Sequence, residues 1–166
     1  MRVVVSTLND LGINTMASCE GHLDHGVAAP WVDVVVEMSE DLANLNKKAD
    51  ELQVSAEHIL KEMTNRHEAN RLLAEYEVVK DEILRINLQE TVDLSNLLEE
   101  FYKKRAINFR IKLVINIYGR GVGRLISQGG LYQEAFSKED QARYLIEYQR
   151  EMKSFGKFLK GKSLKS

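Results

Sequence analysis

The hydrophobic positions of the chain are most regular between about Ser39 and Arg105, where apolar residues recur three and four positions apart. This spacing predicts long helices. The first apolar seam is interrupted at Arg66 and Asn70, so we expect the chain to reverse, or the register to shift, between Thr64 and Asn70. The later apolar face would then pack against the earlier one. The seam comprises Leu42, Leu45, Ala49, Leu52, Ala56, Ile59 and Met63.

The first 38 residues mix helix-like and strand-like patterns. The opening β-branched run is compatible with a strand, but three apolar residues fall on one helical face and Gly12 follows them, which favours a helix ending before that glycine. A short strand is predicted over 13–17. A second strand, rich in β-branched residues and preceded by Pro30, is predicted over 31–37.

The last third of the chain returns to mixed structure. Strict alternation predicts a strand over 111–117, and a glycine-rich turn then leads into a returning strand over 124–127. A final helix is predicted over 137–160, capped by the Ser137 hydroxyl. Its predicted apolar face comprises Ala142, Leu145, Ile146, Gln149, Met152 and Phe155.

Together these elements predict an α+β fold. We expect a small, mainly antiparallel sheet of about four strands, a long helical insertion and a C-terminal helix. The chain would form a single domain over 1–166, with its sheet portion at 1–38 and 106–130 and its insertion at 39–105.

Composition narrows the class of protein. The chain has 166 residues, of which 44% are hydrophobic and 29% charged, as expected of a globular domain. A formal net charge of -2 argues against nucleic-acid binding driven by overall charge. No apolar run approaches the roughly 20 residues that span a bilayer, so no membrane partner is expected. A single cysteine forms no internal disulfide, which favours a cytoplasmic location.

The candidate chemistry is concentrated between Ser18 and Gly26. These nine residues hold the only cysteine, two of the four histidines and two carboxylates. Such side chains bind metals and transfer protons near neutral pH. The candidate catalytic residues are Cys19, Glu20 and His22. The candidate ligand-binding residues are Ser18, Gly21, Asp24 and His25. A metal, if one binds, would take His22, Asp24 and His25.

Cys19 has two interpretations. A neighbouring histidine can lower the pKa of a thiol and make it a nucleophile, and a small apolar side chain at the end of a strand can also be purely structural. A catalytic site would bring Cys19, His22 and one carboxylate, from Glu20 or Asp24, within roughly 6 Å of one another.

A second candidate site is the glycine-rich turn over 119–123, flanked by Arg120 and Arg124. Exposed backbone amides and two guanidinium groups could hold a phosphate or an RNA backbone. The glycines are equally explained by the tip of a hairpin, and the following strand does not fit a dinucleotide fingerprint, which requires a helix there.

Part of the N-terminal section resembles known sequences. The resemblance is carried by Leu8-Asn9-Asp10-Leu11-Gly12-Ile13-Asn14-Thr15, Ser18-Cys19-Glu20-Gly21-His22 and Pro30-Trp31-Val32. These pieces resemble a group of small, uncharacterised bacterial and phage-borne proteins. More distantly, the Ser-Cys-x-Gly element is similar to a signature of the wybutosine-synthesising tRNA methyltransferase family. That family usually has arginine after the element, where this chain has His22.

Three classes of function fit these features. The first is an enzyme or small-ligand protein with its site in the Ser18–Gly26 loop, its cofactor unknown. The second is an interaction protein whose helical section forms a homodimer or binds another chain. The third is an RNA-linked protein that uses Arg120, Arg124 and the lysine-rich C-terminus.

Overall fold

A computed structural model of the protein describes residues 1–35, 39–118 and 121–164. The fold is α+β, as predicted, with a four-stranded sheet, long helices and a C-terminal helix. The helices are α1 (Arg2–Asp10), α2 (Glu40–Glu62), α3 (Arg66–Glu90), α4 (Val92–Tyr102) and α5 (Lys138–Ser163). The strands are β1 (Thr15–Cys19), β2 (Trp31–Val35), β3 (Leu113–Tyr118) and β4 (Val122–Ser127). A 3₁₀ segment spans Gln128–Ala135.

The chain divides into two compact units. The first unit contains the sheet, apart from the last two residues of β3, together with α1, α4 and α5, and comprises 1–35, 91–116 and 122–166. The second contains α2 and α3, and comprises 36–90 and 117–121. Of the three helices in the predicted insertion, α4 therefore belongs to the unit that carries the sheet.

The sheet has the strand order β1-β2-β4-β3. Strand β2 pairs antiparallel with β1 on one side and with β4 on the other, so that Trp31 lies opposite both Cys19 and Ile126. The predicted antiparallel sheet is confirmed. The strand expected over 31–37 is observed over Trp31–Val35, and its last two positions lie outside the described residues.

Helix α1 ends as the sequence predicts. Gly12 adopts a left-handed φ of 80°, its N–H donates to the Asn9 carbonyl at 3.0 Å, and the Ile13 N–H donates to the Leu8 carbonyl at 2.9 Å. This pair of bonds is a Schellman motif. Because Ile13 belongs to the helix end, the strand expected over 13–17 begins two residues later, at Thr15.

The predicted face of α5 is correct only in part. Met152 and Phe155 are buried, but Ile146 is 53% exposed and Gln149 is also exposed. The buried face instead comprises Tyr148, Glu151, Met152, Phe155, Gly156 and Leu159. A buried acid is unusual in such a face, and Arg105 compensates it with a guanidinium 2.7 Å from Glu151 Oε2.

In the second unit the chain reverses as predicted. Helix α2 starts with Ser39, whose Oγ accepts from the Leu42 N–H at 3.1 Å, and it ends at Met63 in the left-handed conformation. Helix α3 then packs back on α2, and Lys48 Nζ lies 2.9 Å from Glu75 Oε1 between them. The core of this hairpin is formed by Leu42, Ala49, Val79 and Ile83. None of the helices in the described residues combines the length and apolarity that crossing a membrane requires.

Two adjacent valines on α3 test this packing. Val79 is 6% exposed in the hairpin core, whereas Val78 is 69% exposed. Val79→Ala removes two buried methyl groups and leaves a small cavity, so we expect it to lower the free energy of unfolding by about 1–3 kcal/mol.

Val78→Ala is the matched control and should change the stability by less than about 0.5 kcal/mol. Urea unfolding followed by helical circular dichroism measures both variants. Equal effects of the two substitutions would contradict the observed hairpin.

Candidate functional site

The candidate site lies in the loop between β1 and β2, and its course depends on Gly21. This residue has a φ of 86°, in the left-handed region that side chains disfavour. A Cβ at this position would lie 2.6 Å from Leu145 Cδ1 and 2.8 Å from the Ala29 carbonyl carbon. Only glycine therefore lets the loop pass between the chain that returns to β2 and helix α5.

Three glutamines hold the loop in place. The Gln133 amide accepts from the Ala28 N–H and donates to the Gly26 carbonyl at 3.3 Å. Gln141 Nε2 donates in turn to the Gln133 carbonyl at 2.9 Å, which ties the 3₁₀ segment to the start of α5. From further along α5, Gln149 Nε2 donates to the backbone carbonyl that precedes Gly21, at 2.9 Å. The loop is thus fixed from both ends of its course.

At the tip of this loop, the side chains of His22, Asp24 and His25 converge. One ligand atom from each lies within 4.8 Å of the other two. The two imidazole rings stack with centroids 4.3 Å apart and planes 19° from parallel. His25 Nδ1 lies 2.9 Å from Asp24 Oδ1. All three side chains are exposed, so the cluster is open to a ligand from solvent.

The surroundings of Asp24 lower the pKa of its carboxyl group. A backbone hydrogen bond at Asp24 itself is the main cause that lowers its pKa below the usual 3.8, and desolvation opposes it in part. The charge and hydrogen bond of His25, and the charge of His22, lower the pKa further. The cluster therefore presents an anionic oxygen beside two imidazoles near neutral pH.

The cluster borders a pocket of about 200 Å³, which also receives side chains that the sequence did not single out. Gln133 and Glu134 come from the 3₁₀ segment, and Lys138 and Gln141 come from the first turns of α5. More than 100 residues separate Gln133 from the loop residue it binds, Ala28. No local sequence signal could have placed these residues beside the histidines.

The other candidates in the loop have different surroundings. Cys19 is half-buried at the end of β1, where its Sγ accepts from the Gly21 N–H at 3.4 Å. Ser18 is an exposed residue of β1, opposite Val32. The carboxylate of Glu20 lies 3.2 Å from the amino group of Met1 and borders a different cavity, between α1 and α5. The candidate residues of the loop therefore do not share one site, because Glu20 borders one cavity while His22, Asp24 and His25 border another.

The second candidate site, the glycine-rich turn, is described only in part. Arg120 and Gly119 lie outside the described residues. Arg124 forms a bidentate ion pair with Asp33, at 2.6 and 2.8 Å, and its guanidinium carbon lies 3.8 Å from the centre of the Trp31 ring. Because Asp33 is buried, this pair joins β2 to β4 within the sheet. Arg124 is thus already engaged by the fold.

Within residues 1–35, 39–118 and 121–164, the cluster of His22, Asp24 and His25 is the one convergence of three histidine, cysteine or acidic side chains with metal-ligand spacing. Comparison of the chain with protein-family models, with curated proteins and with solved structures gives no match. Function is therefore inferred from the side chains and their geometry.

Two glycines of the loop allow a test of its conformation. Gly21 and Gly26 both have positive φ, but a Cβ at Gly26 meets nothing within 4 Å. We expect Gly26→Ala to cost about 1 kcal/mol through backbone strain alone.

Gly21→Ala adds a clash with the Ala29 backbone, so its cost should exceed that of Gly26→Ala by about 1–3 kcal/mol. Thermal unfolding followed by Trp31 fluorescence compares the two variants. Similar losses in both would show that the loop does not pass as close to Ala29 as described.

Proposed function

We propose that the Ser18–Gly26 loop binds a divalent transition metal through His22, Asp24 and His25, and that this centre is a catalytic or small-ligand site. The observation that supports the proposal is the convergence of three ligand atoms within 4.8 Å at the edge of a pocket. Convergence of this kind is not required by packing, because all three side chains are exposed.

The donor set suits particular metals. Two imidazoles and one carboxylate bind Zn²⁺ in hydrolytic sites and Fe²⁺ in oxygenases, and in both cases they leave positions open for water or substrate. The contact between Asp24 and His25 Nδ1 also supports ligation, because a carboxylate on one imidazole nitrogen orients the other nitrogen toward a metal. Asp24 can therefore orient the His25 ring, bind the metal itself, or do both.

The remaining residues of the pocket have roles in the proposed site. A bound metal would supply a Lewis acid. Glu134 provides a carboxylate that can take up a proton at the same pocket, and Lys138 provides a cation for an anionic group of the substrate. Gln133 and Gln141 hold the loop against the start of α5 and so position the histidines. We place the protein in the cytoplasm, where the thiol of Cys19 stays reduced.

The two alternatives find less support among the described residues. The first part of the seam that could mediate a homodimer, from Leu42 to Leu52, is packed against α3 within the same chain. The RNA-linked alternative relied on Arg120, Arg124 and the lysine-rich C-terminus, and of these Arg124 is engaged by Asp33. The loop site therefore remains the function that the geometry favours most.

Metal binding is tested directly by calorimetry. After treatment with a chelator, the wild-type protein should bind one equivalent of Zn²⁺, and Co²⁺ should give the visible absorption of an ordered site. His22→Ala and His25→Ala each remove one of three ligands, so we expect affinity to fall at least about tenfold.

The chain provides matched controls in His58 and His67, which are exposed residues of α2 and α3. His58→Ala and His67→Ala should leave the affinity unchanged. Equal Zn²⁺ binding by all four variants would show that the metal is held elsewhere or non-specifically.

The pH dependence of metal binding gives a separate test. Imidazole must be neutral to bind a metal, and histidine side chains ordinarily gain a proton near pH ~6.5. We therefore expect Zn²⁺ affinity to be constant above about pH 7.5 and to fall steeply as the pH is lowered toward 5.

The carboxyl group of Asp24 should not contribute to this fall, because its pKa is lowered and it stays ionised throughout the range. Calorimetry between pH 5 and 8 in buffers of different ionisation enthalpy, with ~0.1 M salt, measures the protons released. Affinity that is constant down to pH 5 would exclude histidine ligation.

A further inference from the structure

A second cavity lies between α1 and α5, and it differs in chemistry from the pocket beside the histidines. Its volume is about 690 Å³, within the range of cavities that bind small molecules. It is bordered by the first residues of α1, by the second half of α5 and by Glu20 and Pro30 of the loop. We refer to it as the α1/α5 cleft.

The rim of the α1/α5 cleft is cationic. Lys153, Lys157 and Lys160 follow one another at intervals of four and three residues, so they lie along one side of α5, and Arg2 faces the cleft from α1. All four side chains are exposed. Like charges at this spacing repel one another within a helix, and a bound anion would relieve that repulsion.

These cations lack carboxylate partners in the described part of the chain. The contrast with Lys162, on the same helix, is informative, because Lys162 forms an ion pair with Glu100. A carboxylate that does border the cleft, Glu20, lies beside the amino group of Met1. Positive charge in the cleft therefore exceeds negative charge.

The floor of the α1/α5 cleft is apolar and belongs to the core. Val4 and Met152 are 3% and 1% exposed and are part of the main hydrophobic cluster of the first unit. Gly156 allows this packing, because a Cβ there would lie 2.9 Å from Val4 Cγ2. The floor is thus built into the fold, and a ligand would not have to create it.

We propose that the α1/α5 cleft binds an organic phosphate, a small molecule that carries phosphate groups on an apolar or aromatic body. The four cations of the cleft carry more positive charge than a ligand with one carboxylate would neutralise, and they match the negative charge of a di- or triphosphate. Lysine is a common point-charge partner of phosphate. The apolar floor would receive the body of the ligand. The concave form and the volume fit a nucleotide better than a nucleic-acid backbone, which needs an extended basic surface.

The test uses the full chain and three probes in calorimetry at low and at physiological salt. The probes are ADP, inorganic pyrophosphate and vesicles of phosphatidylcholine that contain phosphatidic acid. We expect ADP to bind, pyrophosphate to bind more weakly because it has no body for the apolar floor, and both affinities to fall with salt. Vesicle binding without ADP binding would assign the same phosphate chemistry to a lipid headgroup.

Variants locate the binding. Lys153→Gln combined with Lys157→Gln should weaken ADP binding, or vesicle binding if that is the source, by about tenfold or more. The control is Lys103→Gln combined with Lys104→Gln, which makes the same change in net charge at exposed lysines after α4. Glu20→Gln removes a carboxylate from the cleft and should tighten binding by about threefold.

Equal losses in the two lysine pairs would overturn the proposal, since binding would then depend on net charge alone. Absence of binding by every probe would overturn it as well, and so would a preference for duplex or single-stranded nucleic acid over ADP. The outcome does not depend on the metal, because His22 and His25 do not border the α1/α5 cleft. The His22→Ala variant should therefore bind ADP as the wild type does.

Discussion

The close approach of the β1–β2 loop to helix α5 at Gly21 is the contact on which the arrangement of the candidate site depends. A side chain at this position would collide with the Ala29 backbone and with Leu145, so the loop can be this tightly turned only because glycine is there. The turn brings His22, Asp24 and His25 outward while Ala28 and Ala29 return to the buried layer. The exposed cluster and the buried end of the loop are therefore two results of one steric constraint.

The loop residues that look like one motif in the sequence do not share one environment. His22 faces the smaller pocket with Asp24 and His25, Glu20 borders the α1/α5 cleft, and Cys19 lines neither cavity. Adjacent side chains in a turning loop point in different directions, so closeness in sequence does not ensure a common site. This separation is why a metal centre of histidine and aspartate is favoured over a cysteine-based one.

Local signals in the sequence predicted much of the fold. The glycine after α1, the serine cap of α5 and the interrupted seam before α3 each depend on residues a few positions apart, and the structure confirms each. The face of α5 was predicted wrongly at Ile146 because apolar periodicity does not anticipate that an acid, Glu151, is buried by pairing with Arg105. Charge pairing across 46 residues leaves no periodic trace.

In the candidate site, too, the local features could be predicted from the sequence and the contacts between distant residues could not. The three proposed ligands fall within four residues, and the sequence was sufficient to name them. Glu134, Lys138 and the three glutamines come from segments that only tertiary packing brings to the loop. The lysine-rich C-terminus was visible in the sequence, but the cleft that joins its lysines to Arg2 was not, because Arg2 is distant in sequence from α5.

Helix α5 connects the features described above as one continuous helix. Its 26 residues span about 39 Å at the usual rise of an α-helix. Its first turns border the pocket beside the histidines, Gln149 near its middle holds the loop, and its second half forms one wall of the α1/α5 cleft. A displacement of this helix would therefore change the shape of both cavities together, whereas rotation of any one side chain would change only one. The two cavities thus share one helix as part of their walls.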